Sequence, residues 1–79
     1  MSKLDQVLAK LAENGFRITP QRKLVIEVIL SGEYTCPKEI HYYASLKYPK
    51  IGIATVYRVV QTLEEIGVIS RKNMYKINL

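Results

Sequence analysis

Apolar residues in IATVYRVVQTLEEIGVI recur at Val56, Val59, Val60, Leu63 and Ile66, spacings of three and four that lay a single stripe along a helix. The stripe predicts a helix over 53–67 that buries those side chains and turns Ala54, Tyr57, Arg58 and Gln61 outward. Upstream, Leu4, Val7, Leu8 and Leu11 share one face of KLDQVLAKLAENG, and Asn14-Gly15 offers a left-handed stop, so a first helix is expected over about 3–14. In FRITPQRKLVIEVILSG, Thr19 is placed to cap a second helix, Pro20 suits its first turn, and Leu24, Val28 and Ile29 face inward until Ser31-Gly32. The same start recurs at Pro37, after which Ile40, Tyr43, Ala44 and Leu46 give a short third helix its apolar side and Tyr48-Pro49 closes it. The connection from Pro49 to Gly52 then fits a tight turn between two crossing helices, with Gly52 as an acceptable cap.

Beyond Gly67 the period falls to two. VISRK and MYKIN alternate, with Tyr75, Ile77 and Leu79 on one face and Lys76 and Asn78 on the other, which predicts two short strands around Asn73-Met74. A lone hairpin is marginal, so it has to rest on the helices, leaving Arg71, Lys72 and Lys76 along its outer edge. The expected fold is mainly α with a small β-hairpin, four helices then two strands, in one domain over 1–79. That order is a winged helix, with the third and fourth helices as a helix-turn-helix and the hairpin as the wing.

Charge sharpens this picture. Lys and Arg number 12 against 7 Asp and Glu, a net +5. Lys47, Lys50, Arg58, Arg71, Lys72 and Lys76 face only Glu64 and Glu65 in residues 47–79, so the C-terminal half holds the field. A localised basic surface favours a polyanionic partner, nucleic acid or an acidic membrane. Composition is ordinary for a globular chain, at 48% hydrophobic and 24% charged. No signal peptide, long apolar run or lipidation pattern is visible, which predicts a cytoplasmic protein with no membrane partner.

In a helix-turn-helix the second helix enters the DNA major groove and its first outward residues touch base edges; here those are Ala54, Thr55, Tyr57, Arg58 and Gln61. Arg58 can fork onto guanine or a phosphate, Gln61 can pair with adenine, and Tyr57 can pack on thymine methyls. Lys50, Arg71, Lys72 and Lys76 are candidates for phosphate contacts. The competing class is a winged-helix protein–protein interaction module without DNA readout, in which the same face docks on a protein, since Tyr and Arg are also hot-spot residues. Cys36 is the only cysteine, and His41 falls on another side of the helix from it, so structural or surface roles are expected for both and no metal site. With one histidine, no glycine-rich phosphate loop and no nucleophile beside a base, the chain does not look like an enzyme.

The runs NGFRITPQR and ATVYRVVQTLEEIGVI resemble the N-terminal DNA-binding domain of the ferric uptake regulator family, and the resemblance covers nearly the whole chain. It implies a homodimeric, metal-dependent repressor that binds double-stranded DNA at AT-rich inverted repeats, with the isolated domain monomeric. Family contacts carried over by position fall on Ala54, Thr55, Tyr57 and Arg58 in the recognition helix, and on Arg17 as a minor-groove arginine, a placement favoured in narrow A-tract grooves. The TPQR run places Thr19, Gln21 and Arg22 where a helix N-terminus and its neighbours hold a backbone phosphate. Three departures accompany the likeness. Where the family has a histidine ligand, a serine cap and a tyrosine at the start of helix three, this chain has Tyr34, Cys36 and His41. The hairpin is shorter than usual and has no glycine-rich loop. The family's dimerisation and metal domain, which holds most of its Fe or Zn, would begin about where this chain stops, so no cofactor is expected within these residues.

Overall fold

The computed structural model describes residues 2–32, 34, 36–70, 76 and 77. Four helices, α1 (Lys3–Glu13), α2 (Pro20–Leu30), α3 (Pro37–Lys47) and α4 (Ile53–Glu65), precede two short strands, β1 (Ile69–Ser70) and β2 (Lys76–Ile77). The strands pair antiparallel, Ile69 opposite Ile77 and Ser70 opposite Lys76. This is the expected winged helix, with four helices followed by a paired strand ladder. Asn73-Met74, Tyr75 and Leu79 lie outside the described residues.

Capping sets the helix limits. Ser2 Oγ accepts the Asp5 amide at the start of α1, and Thr19 Oγ1 accepts the Arg22 amide at the start of α2, each at 3.1 Å. Helices α1 and α4 end alike. Gly15 and Gly67 take φ of 81° and 78°. Their amides donate to Ala12 and Glu64, while Phe16 and Val68 donate back to Leu11 and Leu63, the paired bonds of a Schellman motif. Helix α4 therefore stops at Glu65, two residues short of the predicted limit, because Gly67 unwinds the chain. A Cβ at Gly67 meets no atom within 4 Å, so only backbone strain opposes a side chain there. Gly67→Ala is expected to destabilise the fold by roughly 1–2 kcal/mol in urea denaturation, with Gly67→Asn costing less.

Helix α2 is the centre of the molecule, packing against α1, α3, α4 and β2. Val25, Ile26, Val28 and Ile29 are all buried, a wider arc than the expected stripe, while Leu24 is only partly covered. Val7 and Leu11 of α1, Ile40 and Ala44 of α3, and Val56, Val59, Val60 and Leu63 of α4 complete one core with Ile51, Val68 and Ile69. The α3 expectation needs correcting. Ile40 and Ala44 are inside, but Tyr43 and Leu46 (64% exposed) are not, and Tyr42 and Tyr48 are also exposed. Tyr34, ahead of α3, is buried, its hydroxyl donating to the Val28 carbonyl at 2.9 Å. Two contacts of α3, with α2 and α4, need only a narrow apolar line of small and branched side chains. No helix among the described residues is long and apolar enough to cross a membrane.

Candidate nucleic-acid interface

The connection from α3 to α4 is held at both ends. The Ile51 amide donates to the Tyr48 carbonyl at 3.0 Å and its side chain enters the core. His41 Nε2 lies 3.0 Å from the Ile51 carbonyl oxygen, so that nitrogen carries the proton and donates. The two helices thus meet through a fixed turn, and α4 is aimed by its own buried stripe. Val56, Val59, Val60 and Leu63 face the core, which leaves Ala54, Tyr57, Arg58 and Gln61 exposed on the opposite side and Thr55 partly covered between them. Tyr57 is 45% exposed. A helix of thirteen residues is about 20 Å long and about 10–12 Å across, a rod that fits the roughly 12 Å major groove.

Beside this face runs a groove of about 440 Å³ lined by Arg17, Thr19, Gln21, Arg22, Thr55, Arg58 and Val59. It joins the loop before α2 to the first turns of α4, two segments some forty residues apart in sequence. Three guanidinium groups border it and no carboxylate does, among the described residues. Arg58 Nη2 donates to Thr55 Oγ1 at 3.4 Å, a long bond that leaves most of its fork open, and the Arg58 carbonyl accepts the Thr62 hydroxyl at 2.9 Å. Arg22 is engaged differently. Its Nη1 donates to the Arg17 carbonyl at 2.6 Å, and its guanidinium carbon stands 5.9 Å from the centre of the Phe16 ring.

Of the site residues expected from the sequence, the groove gathers Arg17, Thr19, Gln21, Arg22, Thr55 and Arg58. Ala54, Tyr57 and Gln61 continue along the outward face of α4, and Lys50 stands exposed in the turn before it. Lys76 sits in β2; its side chain, like Arg71 and Lys72, lies outside the described residues. Sequence reasoning overlooked Lys47 and Tyr48, which line a second groove of about 530 Å³ with Thr19, Pro20, Gln21 and Leu24. The N-terminus of α2 is the ridge between the two grooves, since Thr19 and Gln21 border both. Lys47 one turn before Lys50 was the available signal.

Tyr34 occupies the position at which the family resemblance implies a histidine ligand. It does not fit a metal: the residue is 5% exposed, its hydroxyl is spent on the Val28 carbonyl, and its ring packs 5.7 Å from that of Tyr43. The Cys36 thiol points to Glu39 Oε1 at 3.8 Å, and His41 is held by Ile51. Among the described residues no three His, Cys, Asp or Glu side chains converge as a cation site.

Four helices, the last two joined as a helix-turn-helix and followed by a hairpin, place the molecule in the winged-helix class. Sequence comparison narrows this. The model of the Ferric uptake regulator family matches residues 13–78, and the chain belongs to that family. It is 30% identical over 74 residues to the ferric uptake regulation protein of Bacillus subtilis strain 168, covering 91% of this chain and 50% of that relative. It is 33% identical over 67 residues to the peroxide-responsive repressor PerR of Staphylococcus epidermidis, covering 84% of this chain and 45% of the relative. The PerR of Staphylococcus aureus strain Mu50 is 31% identical over the same length. The chain thus spans about half the length of the curated relatives it matches. No solved structure gives a significant match.

Proposed function

We propose that this chain is the DNA-reading part of a metal-responsive transcriptional repressor, acting by binding and not by catalysis. In this reading α4 lies in the major groove, where Ala54, Thr55, Tyr57, Arg58 and Gln61 meet base edges. Arg17 enters the adjacent minor groove, Thr19 and Gln21 approach the backbone, and Lys50, Arg71, Lys72 and Lys76 neutralise phosphates on either side. The observation that carries it is the groove that sets Arg17 and Arg22 beside Thr55 and Arg58, with no carboxylate among the described residues that line it. The names of the relatives, a ferric uptake regulation protein and peroxide-responsive repressors, support the regulatory part of the proposal. Two copies, brought together in a full-length homodimer, would read the two halves of an AT-rich inverted repeat and gain by effective concentration what one copy lacks. Metal sensing, in the same proposal, belongs to a part of such a regulator outside these residues.

Competition binding tests this at several salt concentrations, with a duplex carrying an AT-rich inverted repeat set against a shuffled duplex and heparin. The repeat is expected to compete best, and log affinity should fall by about 0.9 per log unit of salt for each phosphate neutralised. If the repeat does no better than heparin at any ionic strength, the outward face of α4 is a protein-docking surface instead.

A further inference from the structure

Arg22 carries a positive charge at the edge of the groove, yet its guanidinium is turned back onto the chain's own backbone, in an exposed hydrogen bond. Its Nη1 hydrogen bond to the Arg17 carbonyl is 2.6 Å long and charge-assisted, and its positive face stands over the ring of Phe16 at 5.9 Å. Its own amide is the one that Thr19 caps, at 3.1 Å, and the residue is partly buried. One residue therefore ties Phe16 and Arg17 to Thr19 at the α2 end of the loop between α1 and α2. The other end of that loop is fixed by the Schellman bond from the Phe16 amide to the Leu11 carbonyl at 3.0 Å. Between these two anchors the Arg17 side chain is exposed and borders the groove.

We infer that Arg22 is a positioning residue: it holds the Phe16–Thr19 segment in the one conformation that presents Arg17 to DNA, and does not itself bind a phosphate. This rests on the DNA reading proposed above. An arginine is suited to the task and a lysine is not, because the planar group can donate along its edge to a carbonyl while lying over an aromatic ring, whereas an ammonium is a point charge on a flexible stem. Without the clasp, Arg17 samples many orientations, and ordering it on binding costs affinity.

The test is a double-mutant cycle on the 79-residue chain, using Arg17→Ala, Arg22→Ala, Arg22→Lys and the double alanine variant. Binding is measured to the AT-rich duplex at fixed salt, and amide order parameters of residues 16–18 are measured by NMR on the free chain. Arg22→Ala and Arg17→Ala are each expected to weaken binding about tenfold, with the double variant no weaker than the worse single one. Arg22→Lys should fail to restore affinity although it keeps the charge. The order parameters of 16–18 should fall from about 0.85 toward 0.6 in both Arg22 variants. Multiplicative losses, rescue by lysine, or unchanged order at 16–18 would each overturn the inference and make Arg22 a direct phosphate contact or a bystander. If the alanine variant unfolds, the lysine variant decides alone. A wild-type chain that ignores DNA would sink the DNA reading, and with it this role for Arg22, whereas the NMR result on the free chain still reports whether the clasp exists.

Discussion

Arg58→Ala is expected to reduce the preference for an AT-rich inverted repeat over shuffled DNA by roughly 1–3 kcal/mol, without measurable loss of stability. The side chain stands on the exposed face of α4, opposite Val56, Val59, Val60 and Leu63, so its removal opens no cavity. Its guanidinium hydrogen bond to Thr55, at 3.4 Å, is long and exposed and contributes little to folding. A change of less than about 0.5 kcal/mol in unfolding free energy follows. In the proposed reading its open donors meet a guanine edge, and loss of a fork-shaped contact affects one sequence far more than another. Tyr57→Ala should behave alike, because a ring 45% exposed on the same face packs against thymine methyls only where thymine is present. Lys72→Ala, a phosphate contact in the same proposal, should weaken binding to both duplexes equally and lower the salt slope by about one. Equal losses on both DNAs for all three variants would remove base reading from α4 and leave it an electrostatic anchor.

How far the sequence revealed this molecule varied from element to element, for physical reasons. Helix α4 was legible because one side is core and the other solvent, which is the condition under which a 3.6-residue period survives in the sequence. The Gly15 and Gly67 stops and the Thr19 cap were legible because each rests on local backbone chemistry. The limits of α2 were legible but its buried arc was not, since LVIEVIL is interrupted only by Glu27 and an apolar run that long does not mark which side faces the core. Tyr43 misled for the opposite reason. An aromatic residue on a short helix is as compatible with an exposed face as with a packed one, and Tyr43 took the first course. Among the candidate site residues, those on α4 followed from its stripe, and Arg17 and the TPQR positions from the family likeness. The turn of Arg22 toward the Arg17 carbonyl had no signal at all, because a backbone acceptor looks the same whatever residue carries it.

The largest loss of stability is expected from Leu63→Ala, about 2–5 kcal/mol by urea or thermal unfolding. Leu63 is fully buried and lies on the inner stripe of α4, and its carbonyl accepts the Val68 amide at 2.9 Å, the bond that turns the chain from α4 into β1. Truncation leaves a cavity among branched side chains whose positions are fixed by three helices, so little collapse can refill it. Against a total stability of roughly 4–12 kcal/mol for a chain of this size, the loss can leave an appreciable unfolded fraction at 37 °C. Its effect on DNA binding must then differ in kind from that of Arg58→Ala. Apparent affinity for every duplex falls by the same factor, the fraction folded, while preference for the repeat is kept in the molecules that remain folded. Adding the AT-rich duplex should raise the unfolding midpoint of the Leu63 variant, since a ligand that binds only the folded chain draws the equilibrium toward it. A loss of preference equal to that of Arg58→Ala, measured at a temperature where the variant is fully folded, would show that the inner stripe sets the shape of the outer face, and that the two sides of α4 do not act independently.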